Sequence, residues 1–467
     1  MGNNIVIVGA GEVGRSIART LSTSRSGEYN VYIVEQDAGK VARIKDELDV
    51  EVICGNGARP NVLAKAGVIA GGNIDTLIAC TDRDEVNMLS CWIAKSAGVR
   101  KVISRTRSLE FTDRPDWGKK LGINAMISPE RSISREITSL IRVKGAVNAA
   151  ELLGGRVMMY SMRLGSRSPL IGMSLKDMRT KFSDLAAVFV YVEHEDGHSG
   201  VPDGSTVLRE DDICYAVTYS TGTERMQELL QPGATDVSSK VRNIFIVGGG
   251  KLGTQIALMM RREFGSVRLR ILDKDICRCR RLSEEFGEAL VLNADGADKG
   301  VLTEEGIEGS SAYISATNSD ELNMIYCVIA KEMGAEKTIA VVKRSDYQSI
   351  AGAMGISSAV NSNTSLANVM LQYVRYEQHA LAYMMVDKIN AEMLEVELPH
   401  QAPVTGRTLA DIRLGKGAVV ALIGRGEQVL LPSGNTMLRE NDHVILFALS
   451  EIMPGTAKLF GAEYHGH

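Results

Sequence analysis

The chain has 467 residues, of which 45% are hydrophobic and 24% charged, with a formal net charge of −4. That length is too great for one ordinary core and implies roughly three or four domains, or two large ones. The negative balance excludes a global pull toward nucleic acid or anionic lipid, and no stretch approaches the ~18 consecutive apolar residues that span a bilayer, so any link to a membrane is expected to run through a partner protein.

A strand pattern begins almost at the first residue, which leaves no place for a signal peptide. Strands are predicted near 5–8, 31–35, 51–54, 76–80, 102–105 and 125–127, with helices over 38–48 and 84–97 between them. Asp84 is a reasonable N-cap for the second of these helices. Short buried strands alternating with helices imply a parallel, doubly wound sheet. Pro129 then opens a long helix to about 143. Beyond it the texture changes: strand-like runs at 157–164, 187–192 and 213–218 surround turns at Gly172, Gly197 and Pro202 to Gly204, which suggests a small α+β module of some 80 residues.

The same order then returns. Thr81-Asp82-Arg83-Asp84-Glu85-Val86-Asn87-Met88 reappears as Thr317-Asn318-Ser319-Asp320-Glu321-Leu322-Asn323-Met324, with five of eight positions identical. Val201 to Asp212 reappears as Leu431 to Asp442, with seven of twelve identical. Strand-like runs at 393–398, 418–423, 428–431 and 444–449 close the second half as the first was closed. The chain is therefore a tandem duplication of a unit of roughly 230 residues, too long for a solenoid repeat. The expected map is a Rossmann-like domain at 1–143, a small α+β domain at 144–230, a linker at 231–240 (Gln231-Pro232-Gly233 onward), a second Rossmann-like domain at 241–376 and a second small α+β domain at 377–467.

Each half carries a glycine-rich turn after its first strand: Gly9-Ala10-Gly11-Glu12-Val13-Gly14 and Gly248-Gly249-Gly250-Lys251-Leu252-Gly253. Glycines there let backbone approach a pyrophosphate at a helix N-terminus. An acid ends the next strand in both copies, Glu35 at 21 residues after Gly14 and Asp273 at 20 after Gly253. That spacing suits a carboxylate accepting hydrogen bonds from an adenosine ribose, and its charge favours NAD over NADP. Thr81-Asp82 and Thr317-Asn318 end the fourth strands, where they either touch the ribose or nicotinamide side of a dinucleotide or cap the following helix. Arg105, with Lys343 or Arg344 in the second copy, is placed to reach a phosphate or to form a surface salt bridge. Asn56 and Asp295 follow the third strands, as adenine contacts or, more simply, as glycine-turn residues. Arg278, Arg280 and Arg281 read as a solvated helix face rather than a phosphate site.

The seven cysteines are odd in number and scattered; Cys54, Cys80, Cys91 and Cys327 lie in apolar runs, and Cys277 and Cys279 are too close to pair comfortably. Reduced thiols in a cytosolic protein are expected. His194 and His198 stand four apart in turn-like text, and His465 and His467 lie in a polar tail, so solvated loops are expected rather than a metal site.

Tandem glycine-rich Rossmann units, each with the Thr-(Asp/Asn)-x-Asp-Glu-x-Asn-Met text and then a module ending Pro-x-Gly-x-Thr-x-Leu-Arg-Glu-x-Asp, resemble the TrkA family of regulatory subunits, whose units are called RCK domains. The resemblance covers nearly the whole chain. It implies a cytoplasmic homo-oligomer, a ring or tetramer, docked on the inner face of the membrane against a potassium transporter of the TrkH or TrkG kind. It also implies that NAD or NADH, and ATP or ADP, act as regulatory ligands, with no catalytic residues and no metal. Carried over, Gly9 to Gly14, Glu35, Thr81, Asp82 and Arg105 would form one site, and Gly248 to Gly253, Asp273, Thr317 and Asn318 the other. Many RCK domains carry Gly-Asp after the third strand; this chain has Gly55-Asn56 and Ala294-Asp295.

A ligand-sensing gate regulator thus leads. A soluble NAD-dependent oxidoreductase would use the same cradle for hydride transfer but needs a His, Lys or Tyr delivered by a substrate domain, and the histidines lie outside the Rossmann text. A plain nucleotide-binding scaffold with no transporter is the third reading.

Overall fold

The computed structural model describes residues 3–23, 29–182, 185, 187–219, 222–233, 241–287, 289–375, 380–386 and 389–462. Residues 234–240 of the expected linker, and His465 and His467, lie outside the described residues. The chain packs as two compact units, 1–132 with 363–403 and 449–467, and 133–362 with 404–448.

In the first unit, β1 (Asn3–Val8), α1 (Glu12–Ser22), β2 (Tyr29–Glu35), α2 (Ala38–Glu47), β3 (Glu51–Cys54), α3 (Pro60–Lys65), β4 (Thr76–Ala79), α4 (Asp84–Ser96), β5 (Lys101–Arg105), α5 (Leu109–Thr112), α6 (Pro115–Lys120) and β6 (Ala125–Ile127) follow one another. The strands form one sheet in the order β3-β2-β1-β4-β5-β6, and its neighbours run parallel. Both faces of the central strands are buried, which is why β1 and β4 read as unbroken apolar runs. Val6, Val8, Leu77, Cys91, Ala94 and Val102 share one core under α4.

Helix α7 (Pro129–Arg142) leads into β7 (Asn148–Leu152), β8 (Val157–Arg163), α8 (Leu175–Lys181), β9 (Ala187–Glu193), β10 (Ser199–Gly200), β11 (Ile213–Tyr219) and α9 (Thr223–Leu230). These strands form an antiparallel sheet in the order β10-β9-β11-β8-β7. The small α+β module is as expected, with β7 as an additional edge strand.

The second unit holds a copy of the parallel sheet. Its elements are β12 (Asn243–Val247), α10 (Lys251–Phe264), β13 (Arg268–Asp273), α11 (Ile276–Phe286), β14 (Leu290–Asn293), α12 (Lys299–Glu304), β15 (Ala312–Ser315), α13 (Asp320–Glu332), β16 (Thr338–Val342), α14 (Ser345–Ile350) and β17 (Ser358–Asn361). The strand order β14-β13-β12-β15-β16-β17 repeats that of the first sheet position for position. One continuous core runs from the end of α7 (Ile137, Leu140) through Tyr160 and Cys214 to Ile246 and Ile314, so this sheet and the first antiparallel module share their interior.

After α15 (Ser362–Arg375), β18 (Ala380–Val386) pairs with β19 (Ala391–Glu397), and β20 (Ala418–Arg425) pairs with β21 (Gln428–Leu430) and β22 (His443–Leu449), all antiparallel; α16 (Met453–Leu459) closes the described chain. Within the second unit Arg156 donates to the Gly426 carbonyl and Arg179 to that of Pro432, each at 2.8 Å, and the Tyr191 and Phe447 rings lie 6.3 Å apart. No helix among the described residues is long and apolar enough to cross a membrane.

Candidate functional site

Strand order reverses between β1 and β4, and again between β12 and β15. Beyond the carboxyl ends of such strands the connections diverge and leave a crevice. The two glycine loops sit at these points.

In the first loop Gly9 has φ +102°, a conformation that disfavours any side chain, and a Cβ there would lie 2.9 Å from Thr81 Cγ2. A Cβ on Gly14 would lie 2.0 Å from the Gly9 carbonyl oxygen. Chain sterics therefore demand both glycines. Gly11 differs. It is the N-cap of α1 with φ −67° and ψ −177°, ordinary extended backbone, and a Cβ there meets no protein atom within 4 Å. The second loop repeats the pattern: Gly248 (φ +99°) and Gly253 are sterically required, whereas Gly250, at φ −71° and ψ −172°, has nothing within 4 Å of its Cβ position. Neither Gly11 nor Gly250 supplies a side-chain cap to the first-turn amides. An extended N-cap without a side chain, presenting helix amides outward, suits the close approach of a pyrophosphate.

Glu35 and Asp273 are buried at the ends of β2 and β13. Glu35 accepts from the Ala10 amide at 2.8 Å and the Asp37 amide at 3.0 Å. Asp273 accepts from Gly249 at 2.7 Å and Asp275 at 2.8 Å. Each acid thus fixes its glycine loop, and each carboxylate oxygen keeps lone-pair capacity beyond one such bond. Asp273 has one more partner, Arg278 Nη1 at 2.8 Å from Oδ2. Burial pushes the Asp273 carboxyl up, but the Asp275 amide, the Arg278 guanidinium and the Gly249 amide outweigh it and hold its pKa below the usual carboxylate value.

Thr81 Oγ1 donates to Asn87 Oδ1 at 2.7 Å, and the Asn87 amide group donates to the carbonyls of Thr81 and Arg105 at 3.0 Å each. Asn323 does the same for Thr317, Oγ1 to Oδ1 at 2.6 Å, and for the Val341 carbonyl at 2.7 Å. These fully buried asparagines tie the ends of the fourth and fifth strands together. They belong to the repeated text, yet nothing in the letters alone separates a strand clamp from a first-turn helix residue. Asp84 is not the N-cap of α4. Arg83 holds that place, and the Asp84 carboxylate accepts instead from the amides of Arg107 and Ser108 at 2.9 and 2.8 Å, donors that only the fold brings near.

Arg105 reaches into the first crevice, donating to Asp82 Oδ1 at 2.9 Å, while its Nε is buried without a partner among the described residues. In the second copy Lys343 Nζ donates to the Asn318 carbonyl at 3.2 Å and Arg344 pairs with Asp346. Asn56 and Asp295 each accept from an amide two residues on, the geometry of a local turn, and Asp295 also pairs with Lys274 at 2.7 Å. Glu12, at the mouth of the first loop, pairs with Arg15; Val13 is buried, Lys251 is exposed and Leu252 half-buried. Cys80, beside the first loop, is buried, and burial pushes its thiol up to about 12, which removes it as a nucleophile at neutral pH. His194 pairs with Asp212 at 2.8 Å and His198 with Asp196 at 3.1 Å around the β9–β10 turn.

The TrkA-N domain model matches residues 5–129 and again 244–362, and the TrkA-C domain model matches residues 393–461. A Trk system potassium uptake protein TrkA of Azorhizobium caulinodans is 30% identical, with 98% of each chain covered. A TrkA homolog of Methanosarcina mazei is 31% identical over 97% of this chain and 99% of its own. Among solved structures, the GsuK RCK domain aligns at TM-score 0.59 and 18% identity, covering 99% of this chain and 96% of that one. The GsuK channel bound to NAD aligns at TM-score 0.59 and 18% identity, covering 99% and 80%. At that identity the likeness is one of fold.

Proposed function

Since the chain belongs to the TrkA family of Trk-system potassium uptake proteins, we propose that its two crevices bind NAD or NADH, or the adenine nucleotides ATP and ADP, as regulatory ligands. The observation that carries this reading is the pair Gly11 and Gly250: glycine where the protein's own packing asks for none, at the N-terminus of a helix, in both copies. The GsuK channel bound to NAD, a fold neighbour, adds support. In this reading Gly9 to Gly14 with Glu35, Thr81, Asp82 and Arg105 line the first site. Gly248 to Gly253 with Asp273, Thr317 and Asn318 line the second. The working domain division is 1–143, 144–230, 231–240, 241–376 and 377–467.

Occupancy acts by differential affinity for two arrangements of the modules around each crevice, and the arrangement is passed to a membrane potassium transporter of the TrkH or TrkG kind. The protein works as a homotetramer on the inner face of the membrane. Calorimetric titration of NAD, NADH, ATP and ADP into the full chain tests this. Two nucleotide events per chain are expected, one weakened at least ~10-fold (about 1.4 kcal/mol) by Gly11→Ala and the other by Gly250→Ala. Isotherms unchanged in both variants would remove the reading.

A further inference from the structure

The two crevices share a backbone but not their side chains. Glu12, Gln36, Lys40, Ala42, Asn56 and Asp82 around the first correspond to Lys251, Lys274, Arg278, Arg280, Asp295 and Asn318 around the second. The largest structural difference lies where an adenosine ribose would meet the strand-end acid. In the first crevice the exposed Lys40 stands three residues past the N-cap Asp37, and among the described residues Glu35 accepts only from backbone amides. In the second, Arg278 occupies the same position, and its Nη1 lies 2.8 Å from Asp273 Oδ2, the oxygen that also holds the Gly249 amide.

The neighbouring residues have changed in step. Ala10 of the first loop is Gly249 in the second, where a Cβ would lie 2.4 Å from Leu282 Cδ1 and 3.5 Å from Arg278 Cδ. The second glycine of this loop therefore makes room for the packed Leu282.

Building on the nucleotide reading above, we propose that the second crevice selects adenosine whose ribose carries a phosphate, the NADP(H) class, while the first selects the unmodified ribose of NAD(H). Arg278 neutralises the acid that repels a ribose phosphate, and its remaining N–H groups form the planar fork that matches phosphate oxygens. Lys274, one residue past Asp273, is paired with Asp295 at 2.7 Å. In the first crevice a bare carboxylate at the ribose rejects that phosphate by like charge.

The probes are 5′-AMP and 2′,5′-ADP (adenosine 2′,5′-bisphosphate), which differ only by the ribose phosphate, titrated calorimetrically into the full chain beside NADH. The expected result is one site per chain that binds 2′,5′-ADP at least ~10-fold tighter than 5′-AMP, and another that prefers 5′-AMP. Arg278→Gln should abolish the preference for 2′,5′-ADP and leave the NADH event that Gly11→Ala weakens unchanged. Weaker binding of 2′,5′-ADP than 5′-AMP at both sites, or equal loss of both ligands in Arg278→Gln, overturns the proposal while the nucleotide reading stands. Binding of none of the three ligands overturns both. The wild-type comparison alone decides the matter if the variant does not fold.

Discussion

At the scale of single residues, the glycine loops separate what the fold needs from what a ligand needs. Gly14→Ala places a methyl 2.0 Å from the Gly9 carbonyl oxygen, so the α1–β1 contact must open; a loss of about 1–3 kcal/mol in urea unfolding is expected. Gly11→Ala meets no atom, and its stability should stay within about 1 kcal/mol of the parent while nucleotide affinity falls. Equal destabilisation by the two variants would show that Gly11 serves the fold instead. Asn87→Ala removes four hydrogen bonds from a fully buried amide and leaves the Thr81 backbone without its partner, for an expected cost of about 2–4 kcal/mol. Asn87→Asp keeps the acceptor but turns a carboxylate oxygen onto the Thr81 and Arg105 carbonyls in a buried site, so it should cost at least as much as Asn87→Ala. The glycine motif and its acids are legible in sequence because their spacing is local and the strand before them is unbroken. Arg278 is not: it reads as a solvated face, since only the packing of α11 against the strand end turns its side chain back onto Asp273.

At the scale of elements, the end of α7 depends on one buried cation. Lys337 Nζ, just before β16, donates to the carbonyls of Leu140, Val143 and Ala146 at 2.5, 3.0 and 3.1 Å, and the Ser358 hydroxyl also reaches the Ala146 carbonyl. The unpaired carbonyls at a helix C-terminus are thereby satisfied from a neighbouring sheet. Burial lowers the Lys337 pKa from 10.5 to about 7. Below pH 7 folded and unfolded chains both hold the proton. Between about 7 and 10.5 the unfolded chain keeps it while the folded chain sheds it, so this group makes stability rise with pH through that window, by at most about 1.4 kcal/mol per pH unit. Unfolding curves from pH 7 to 9 for the parent and for Lys337→Met check the sign. The parent should gain on the variant as pH rises, although the variant is weaker throughout because its three carbonyls lose their donor. In sequence this lysine stands in a plain turn, Gly334-Ala335-Glu336-Lys337, and nothing local marks it as interior. The alternation of strands and helices was readable from periodicity; β7 and β10 were not, because short edge strands carry half-exposed patterns without a continuous apolar run.

At the scale of the whole molecule, the repeated text makes the duplication legible in the sequence, and both parallel sheets follow one strand order. A homotetramer should give, in light scattering, a mass near four times the 50.5 kDa of one chain. A single-chain mass at every concentration would remove the ring from the proposal. On the proposed reading, covalent linkage of two diverged sensing pockets has a further consequence. Every copy of the polypeptide carries one of each, so their stoichiometry is fixed at synthesis and cannot drift with the expression of separate genes. A cell that reads two cofactor pools through such a tandem protein reads their ratio, free of the noise that two independently made detectors would add.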